Sequence, residues 1–239
     1  MNKKNSSKPT FKEEKTLWKQ GIKYVIGTDE VGRGAFAGPV TVGAVIFSEN
    51  FATSFMEQIN DSKVLSPKKR TELSPLIRAH SNYSISTVSV GIINKVGITK
   101  ATEIAFRKAI KSIMYKAEGI KYKKDLLEIG NCPPAGGLEI PKEKFFLLAD
   151  GFHIKYIKGI GLKNQKAIIK GDKKSLSIAA ASIIAKVHRD NLMIKLAGKY
   201  PEYGFDIHKG YGTKLHREKI KKHGLSKMHR TSFNLSKFT

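Results

Sequence analysis

Three groups of acidic residues stand where apolar, β-rich runs stop: Asp29-Glu30, Asp150 and Asp172. Carboxylates brought from several strand ends to one spot repel one another and raise their own pKa values unless a cation compensates them. Mg²⁺ and Mn²⁺ prefer oxygen ligands, and two such ions about 3.5–4 Å apart can activate a water and stabilise the leaving oxygen of a phosphodiester. Metal-assisted phosphodiester hydrolysis is the chemistry this set suits. Taken singly, each acid reads first as a turn former at the end of a strand. Their joint occurrence in a strongly basic chain is what favours the metal reading.

A second segment with chemical content is Gly32-Arg33-Gly34-Ala35-Phe36-Ala37, which formally matches the G-x-G-x-x-G/A dinucleotide fingerprint. That reading fails on its surroundings. A pyrophosphate would lie beside Asp29-Glu30, and the chain runs through Gly38-Pro39 into a β-rich run where the fingerprint needs a helix N-terminus. The residues suit a loop whose backbone can approach a sugar or phosphate closely, with Arg33 adding a charge-assisted contact. A plain tight turn is the alternative.

The elements that must position these groups follow from periodicity and turn residues. Strands are expected at Tyr24–Asp29, Pro39–Phe47, Tyr83–Val90, Phe145–Ala149 ending at Asp150, and Lys166–Ile169 ending near Asp172. Helices are expected from Ser66-Pro67 to Ile77 and from Ile98 to about Ala117, where Ala101, Ile104, Ala105, Ala109 and Ile113 recur at helical spacing. An Ala- and Ile-rich helix is expected from Ser177 to about Leu196, its small residues allowing close approach to a sheet. Five strands with helices between them give an α/β layer architecture. Residues 1–20 read as a flexible basic arm, 21–198 as the catalytic domain and 199–239 as a basic helical appendage. Cys132-Pro133-Pro134-Ala135-Gly136-Gly137 marks 118–143 as an irregular surface insertion.

The 239 residues carry 44 Lys+Arg against 20 Asp+Glu, a formal charge of +24. Such an excess calls for an anionic partner, nucleic acid first and an anionic membrane surface second, although Lys-rich surfaces also follow genome composition. One cysteine, Cys132, cannot form an internal disulfide and reads as incidental. With neither a signal-peptide pattern nor an apolar run of about 18 residues, the chain reads as cytoplasmic, with monomer as the default.

The string Asp29-Glu30-Val31-Gly32-Arg33-Gly34, continuing through Ala37-Gly38-Pro39-Val40, closely resembles the opening signature of ribonuclease HII. The similarity continues at Asp61-Ser62-Lys63-Val64-Leu65-Ser66, Ala149-Asp150-Gly151, Lys170-Gly171-Asp172, the run Ser177–Val187 and His208-Lys209-Gly210-Tyr211-Gly212-Thr213. It spans about residues 22–216. The resemblance implies an RNase H-like fold: a five-stranded mixed sheet flanked by helices, with a short C-terminal helical appendage. It implies Asp29, Glu30, Asp150 and Asp172 as catalytic, metal-binding carboxylates for Mn²⁺ or Mg²⁺. It also implies that Gly32, Arg33 and Gly34 read the ribose 2′-hydroxyl and adjacent phosphate. Lys63 would contact substrate, and Tyr211 would stack near the sugar on the 3′ side. On its residues alone, Tyr211 is either an exposed stacking residue or a packing anchor. The implied partner is an RNA–DNA hybrid or duplex DNA containing ribonucleotides, cut to leave a 5′-phosphate and a 3′-hydroxyl.

Lys209, Lys214, His216, Arg217 and Lys221 are expected to contact the nucleic-acid backbone, and Asp190 to be a structural ion-pair partner. Gly97, where the family commonly has Asn at the start of the long helix, and His188 depart from the pattern. Two rivals remain. Ribonuclease HIII shares the opening acids but has Lys in place of Arg33, with a larger N-terminal domain. A non-catalytic basic nucleic-acid-binding protein would need the charge but not the acids.

Overall fold

The computed structural model describes residues 8–49, 51–119 and 144–238. The 118–143 insertion from residue 120 onward, and Cys132 within it, lie outside the described residues. In chain order the main elements are α1 (Lys12–Trp18), β1 (Tyr24–Val31), β2 (Val40–Ile46), α2 (Pro67–Ala79), β3 (Asn82–Val88), α3 (Val90–Ala117), β4 (Phe145–Asp150), β5 (Gln165–Ile168), α4 (Leu176–Lys199), α5 (Phe205–His208) and α6 (Lys214–His223). The strands form one sheet in the order β3-β2-β1-β4-β5. β1 pairs antiparallel with β2 and parallel with β4, so the sheet is mixed, as the resemblance implied.

Strand alternation assigns each face its helix. Val40, Val42, Ala44 and Ile46 of β2 point into one core with Ala101, Ala105, Ala109 and Ile113 of α3. Val45 and Phe47 point the other way, into a core with Ala180, Ile183 and Ile184 of α4 and Leu73 and Ile77 of α2. Burial on both faces explains why β2 lacks the apolar/polar alternation of a half-exposed strand. α4 sits unusually close to the sheet because two strand residues on its face have no side chain. A Cβ on Gly27 would lie 2.3 Å from the Ser177 carbonyl carbon, and one on Gly43 would lie 2.3 Å from the Ala181 carbonyl oxygen.

Two expectations need correction. The first is the flexible arm: from Lys12 the chain forms α1, with Leu17 and Trp18 buried against Val25, Leu148, Ile168 and Ile178. Glu14, only 1% exposed, anchors α1 at the start of α4, where its Oε1 accepts from the Ser177 amide (2.9 Å) and from the hydroxyls of Ser175 (2.6 Å) and Ser177 (2.7 Å). A carboxylate there meets the unsatisfied amides and the positive end of the helix dipole. The second concerns the stretch before the long helix, where a further helical segment opens at Val90. Gly97, with φ 79° and ψ 158°, a conformation strained for any residue with a side chain, separates it from the helix that runs from Ile98 to Ala117 as expected. The preceding strand accordingly stops at Val88.

Replacing Gly27 with Ala should force α4 off the sheet and destabilise the protein by about 1–3 kcal/mol. Thermal unfolding should show a fall of roughly 2–12 °C in Tm; an unchanged Tm would contradict the close packing.

Candidate active site at the carboxyl ends of β1 and β4

The central parallel pair brings the first acids together. Thr28 and Ala149 are partners in the β1–β4 ladder, so the next residue on each strand is an aspartate, Asp29 beside Asp150. After β5 the chain turns through a left-handed Lys170 (φ 56°) into a short 3₁₀ turn, Gly171–Lys173, which carries Asp172. That turn is fastened to the strand: the Gly171 amide donates to Asp150 Oδ1 at 2.7 Å. Asp29 Oδ1 accepts the Glu30 amide at 2.8 Å. The Ser182 hydroxyl of α4 also donates to Asp29, and Ser182 is in turn 2.8 Å from the Ser62 hydroxyl.

Electrostatics report the same convergence. Burial pushes the Asp29 carboxyl up to about 8; the Ser182 hydrogen bond opposes this, and the charges of Glu30, Asp150 and Asp172 reinforce it. Burial likewise raises Glu30 to about 7, opposed by Arg33, whose guanidinium lies 3.9 Å away, and reinforced by Asp150. Asp172 is raised by burial and by the charges of Asp61 and Asp150. All four sequence-predicted acids therefore lie in one electrostatic neighbourhood. Among the described residues, however, no three His, Cys, Asp or Glu side chains are drawn into a closed ligand cage. The donor set, all hard oxygen, fits Mg²⁺ or Mn²⁺.

Lys63 extends to 3.8 Å from Asp172 with its side chain 82% exposed. Arg33 is exposed on the Gly32–Gly34 loop, beside a cleft of about 330 Å³ that is also lined by Phe152, His153 and Lys155. Tyr211 is half-buried, its ring 5.3 Å from the Arg189 guanidinium and 5.8 Å from the Lys186 ammonium. Asp190 pairs with Lys186 at 2.8 Å and approaches Arg70 at 4.0 Å, an ion-pair role as expected.

His216 does not face outward as a backbone contact. It is fully buried, with Nδ1 3.0 Å from the Tyr211 carbonyl oxygen and Nε2 3.1 Å from His229 Nε2. The reading of individual residues also left Asp61 unassigned. It is buried, 3.5 Å from Lys173, and hydrogen-bonded to Asp172. Its place in the Asp61-Ser62-Lys63 match was the available signal. Arg189 and Arg230, both fully buried, carried no signal at all among 44 basic residues.

A sequence profile described as ribonuclease HII matches residues 26–131 and 149–236. The chain belongs to the ribonuclease HII family. The ribonuclease HII of Chloroherpeton thalassium is 44% identical over 225 residues, covering 93% of this chain and 95% of the relative. That of Fusobacterium nucleatum is 43% identical over 218 residues, covering 91% and 88%. Among solved structures, the ribonuclease HII of Archaeoglobus fulgidus, determined in complex with PCNA, superposes with a TM-score of 0.62 at 23% identity, covering 87% of this chain and 94% of that one. A Bst ribonuclease HIII in complex with Mn²⁺ gives a TM-score of 0.64 at 18% identity, covering 91% and 69%. At those identities the structural likeness speaks for the fold.

A carboxyl raised by burial binds more protons in the folded than in the unfolded chain. Without metal the protein therefore loses stability as pH climbs from the ordinary Asp value of 3.8 through about 8. Asp29→Asn removes that penalty, so in chelator it should raise the melting temperature by about 2–8 °C at pH 8, for 1–2 kcal/mol. The gain should shrink towards pH 4; a gain independent of pH would contradict the raised value.

Proposed function

We infer that this chain is an endonuclease that hydrolyses the RNA strand of RNA–DNA hybrids and cuts on the 5′ side of ribonucleotides embedded in duplex DNA. Family membership supplies the substrate class. The observation that carries the chemistry is the electrostatic coupling of Asp29 with Glu30, Asp150 and Asp172 at the ends of β1 and β4.

Asp29, Glu30, Asp150 and Asp172 would hold Mn²⁺ or Mg²⁺, which when bound would neutralise the carboxylates and supply the Lewis acidity that activates water and stabilises the leaving oxygen. The chain's own groups do the rest. Arg33 and Lys63, exposed on either side of the acids, bring positive charge to the substrate phosphate. The Gly32–Gly34 loop reads the ribose: the Arg33 and Gly34 amides have no acceptor among the described residues, and a Cβ on Gly34 would meet nothing within 4 Å. That leaves room for a sugar to approach the backbone. Tyr211, buttressed by Arg189 and Lys186, offers a ring face for stacking. The exposed Lys214, Arg217 and Lys221 contact phosphates. The products are a 5′-phosphate and a 3′-hydroxyl. Among the described residues no helix is long and apolar enough to cross a membrane, and a cytoplasmic monomer is the simplest working form.

The test uses a duplex DNA with one ribonucleotide. With Mn²⁺ or Mg²⁺ the wild type should cut it at one position, and Asp29→Asn should lose about 100-fold or more of the rate. Binding by that variant in chelator should stay within threefold of wild type. It should also weaken roughly 100- to 1,000-fold between 50 and 200 mM salt, as neutralising about four to six phosphates requires. No metal-dependent cutting by the wild type would leave only the binding protein, and full cutting by Asp29→Asn would remove Asp29 from the metal-binding set.

A further inference from the structure

The face of the Gly32–Gly38 loop turned away from solvent rests on two guanidinium groups. Arg230, from the C-terminal segment, donates through Nε to the Gly38 carbonyl at 3.0 Å and through one terminal nitrogen to that of Arg33 at 2.8 Å. Its other terminal nitrogen donates to the carbonyls of Gly32 (2.7 Å) and Gly38 (2.8 Å). Arg189, from α4, donates to the carbonyls of Pro39 (2.9 Å), Ala37 (3.2 Å) and Lys209 (2.9 Å). Both side chains are 0% exposed, and main-chain dipoles meet their charge. Burial and the neighbouring Arg189 lower the Arg230 pKa to about 9, which leaves it charged at neutral pH. A buried cation used this way has a demanding geometry: only a planar fork of donors reaches three carbonyls of one loop at once.

The same segment ties that loop to Tyr211. The Arg230 amide donates to the Phe36 carbonyl at 2.8 Å, and the Gly38 amide to the Met228 carbonyl at 2.9 Å. Phe36 and Ala37 both donate to the Gly210 carbonyl, at 2.8 and 3.1 Å. The neighbouring His229 sits 3.1 Å from His216, which holds the Tyr211 carbonyl. The carbonyls of Gly32, Arg33, Phe36, Ala37 and Gly38 are thus taken up by this segment and by Arg189, while the amides of Arg33 and Gly34, both exposed residues, have no acceptor among the described residues.

We propose that Arg230 is a positioning residue for ribonucleotide recognition: by binding the carbonyls of Gly32, Arg33 and Gly38, it holds the unpaired amides of Arg33 and Gly34 in the register that meets the ribose. The inference rests on the reading that this loop contacts the sugar. Arg230 itself touches no substrate, and its effect belongs to discrimination and not to general affinity for duplex.

The experiment measures equilibrium binding in chelator to two duplexes of identical sequence, one with a single ribonucleotide and one all DNA. It uses the full-length wild type, Arg230→Lys and Gly34→Ala. The wild type should prefer the ribonucleotide duplex. Arg230→Lys keeps the charge but not the fork, and should lose about 10-fold in affinity for the ribonucleotide duplex, the scale of lost hydrogen bonds. Its affinity for all-DNA duplex should change less than about threefold, bringing the ratio close to one; a merely structural defect would weaken both. Gly34→Ala, whose methyl faces open space, should collapse the ratio in the same way. If Gly34→Ala collapses it and Arg230→Lys preserves it, the proposal is overturned while the loop reading stands. If neither variant changes the ratio, or the wild type shows no preference, the loop reading falls and takes the proposal with it. Should the lysine variant not fold, Arg230→Gln, which keeps a planar donor, supplies the same comparison.

Discussion

Mutual repulsion among buried carboxylates is the constraint around which the molecule is built. Asp29 is 6% exposed and sits one strand from Asp150, with Glu30 and Asp172 close enough to shift its titration. Left to themselves such groups would rotate away, take up protons or loosen the backbone that carries them. Partners on several elements restrain them instead: the Glu30 amide of the same strand and Ser182 of α4 for Asp29, Arg33 for Glu30, the Gly171 amide for Asp150 and Lys63 for Asp172. The rest of the fold keeps those donors in place. α4 can bring Ser182 to Asp29 because Gly27 and Gly43 let its backbone approach the sheet. Its own start is clamped by Glu14 and the serines at 175 and 177.

The positive charge is organised in the opposite sense. Arg33 and Lys63 stand beside the acids, and together with the exposed lysines of α6 they supply the long-range attraction that a polyanion needs. The inward ones do structural work. Arg189 and Arg230 spend their donors on main-chain carbonyls, and His208, His216 and His229 are buried with pKa values lowered first of all by desolvation. His216 and His229 therefore serve as neutral hydrogen-bonding groups, one donating a ring N–H towards Tyr211 and the other linking to Ser226. The formal charge of +24 thus overstates the charge available to a ligand and conceals a buried basic cluster that shapes two loops at the edge of the site.

Much of this architecture is legible in the linear chain. Runs of β-branched residues bounded by glycines and prolines encode the five strands to within a few residues, because strand propensity and turn chemistry act over a handful of neighbours. The α3 core positions Ala101, Ala105, Ala109 and Ile113 declare themselves by a 3.6-residue period. The acids at strand ends likewise stand out jointly, since Asp29-Glu30 and Asp150 close apolar runs and Asp172 follows one after a short turn, although each alone could be a turn former. The chain thereby determined its strands, its principal helices and the residues able to do metal chemistry.

Only the tertiary structure decided which charged side chains go inside. Glu14 looks like any acid in a polar N-terminal stretch, yet its partners lie more than 160 residues away, on α4. Arg230 looks like any residue of a basic tail, yet the carbonyls it holds lie 192 to 198 positions upstream. Propensity and periodicity are short-range properties of a chain, whereas desolvation of a charge is set by whatever folds against it. A buried cation and a solvated one can therefore be written with the same letter, and only packing separates them.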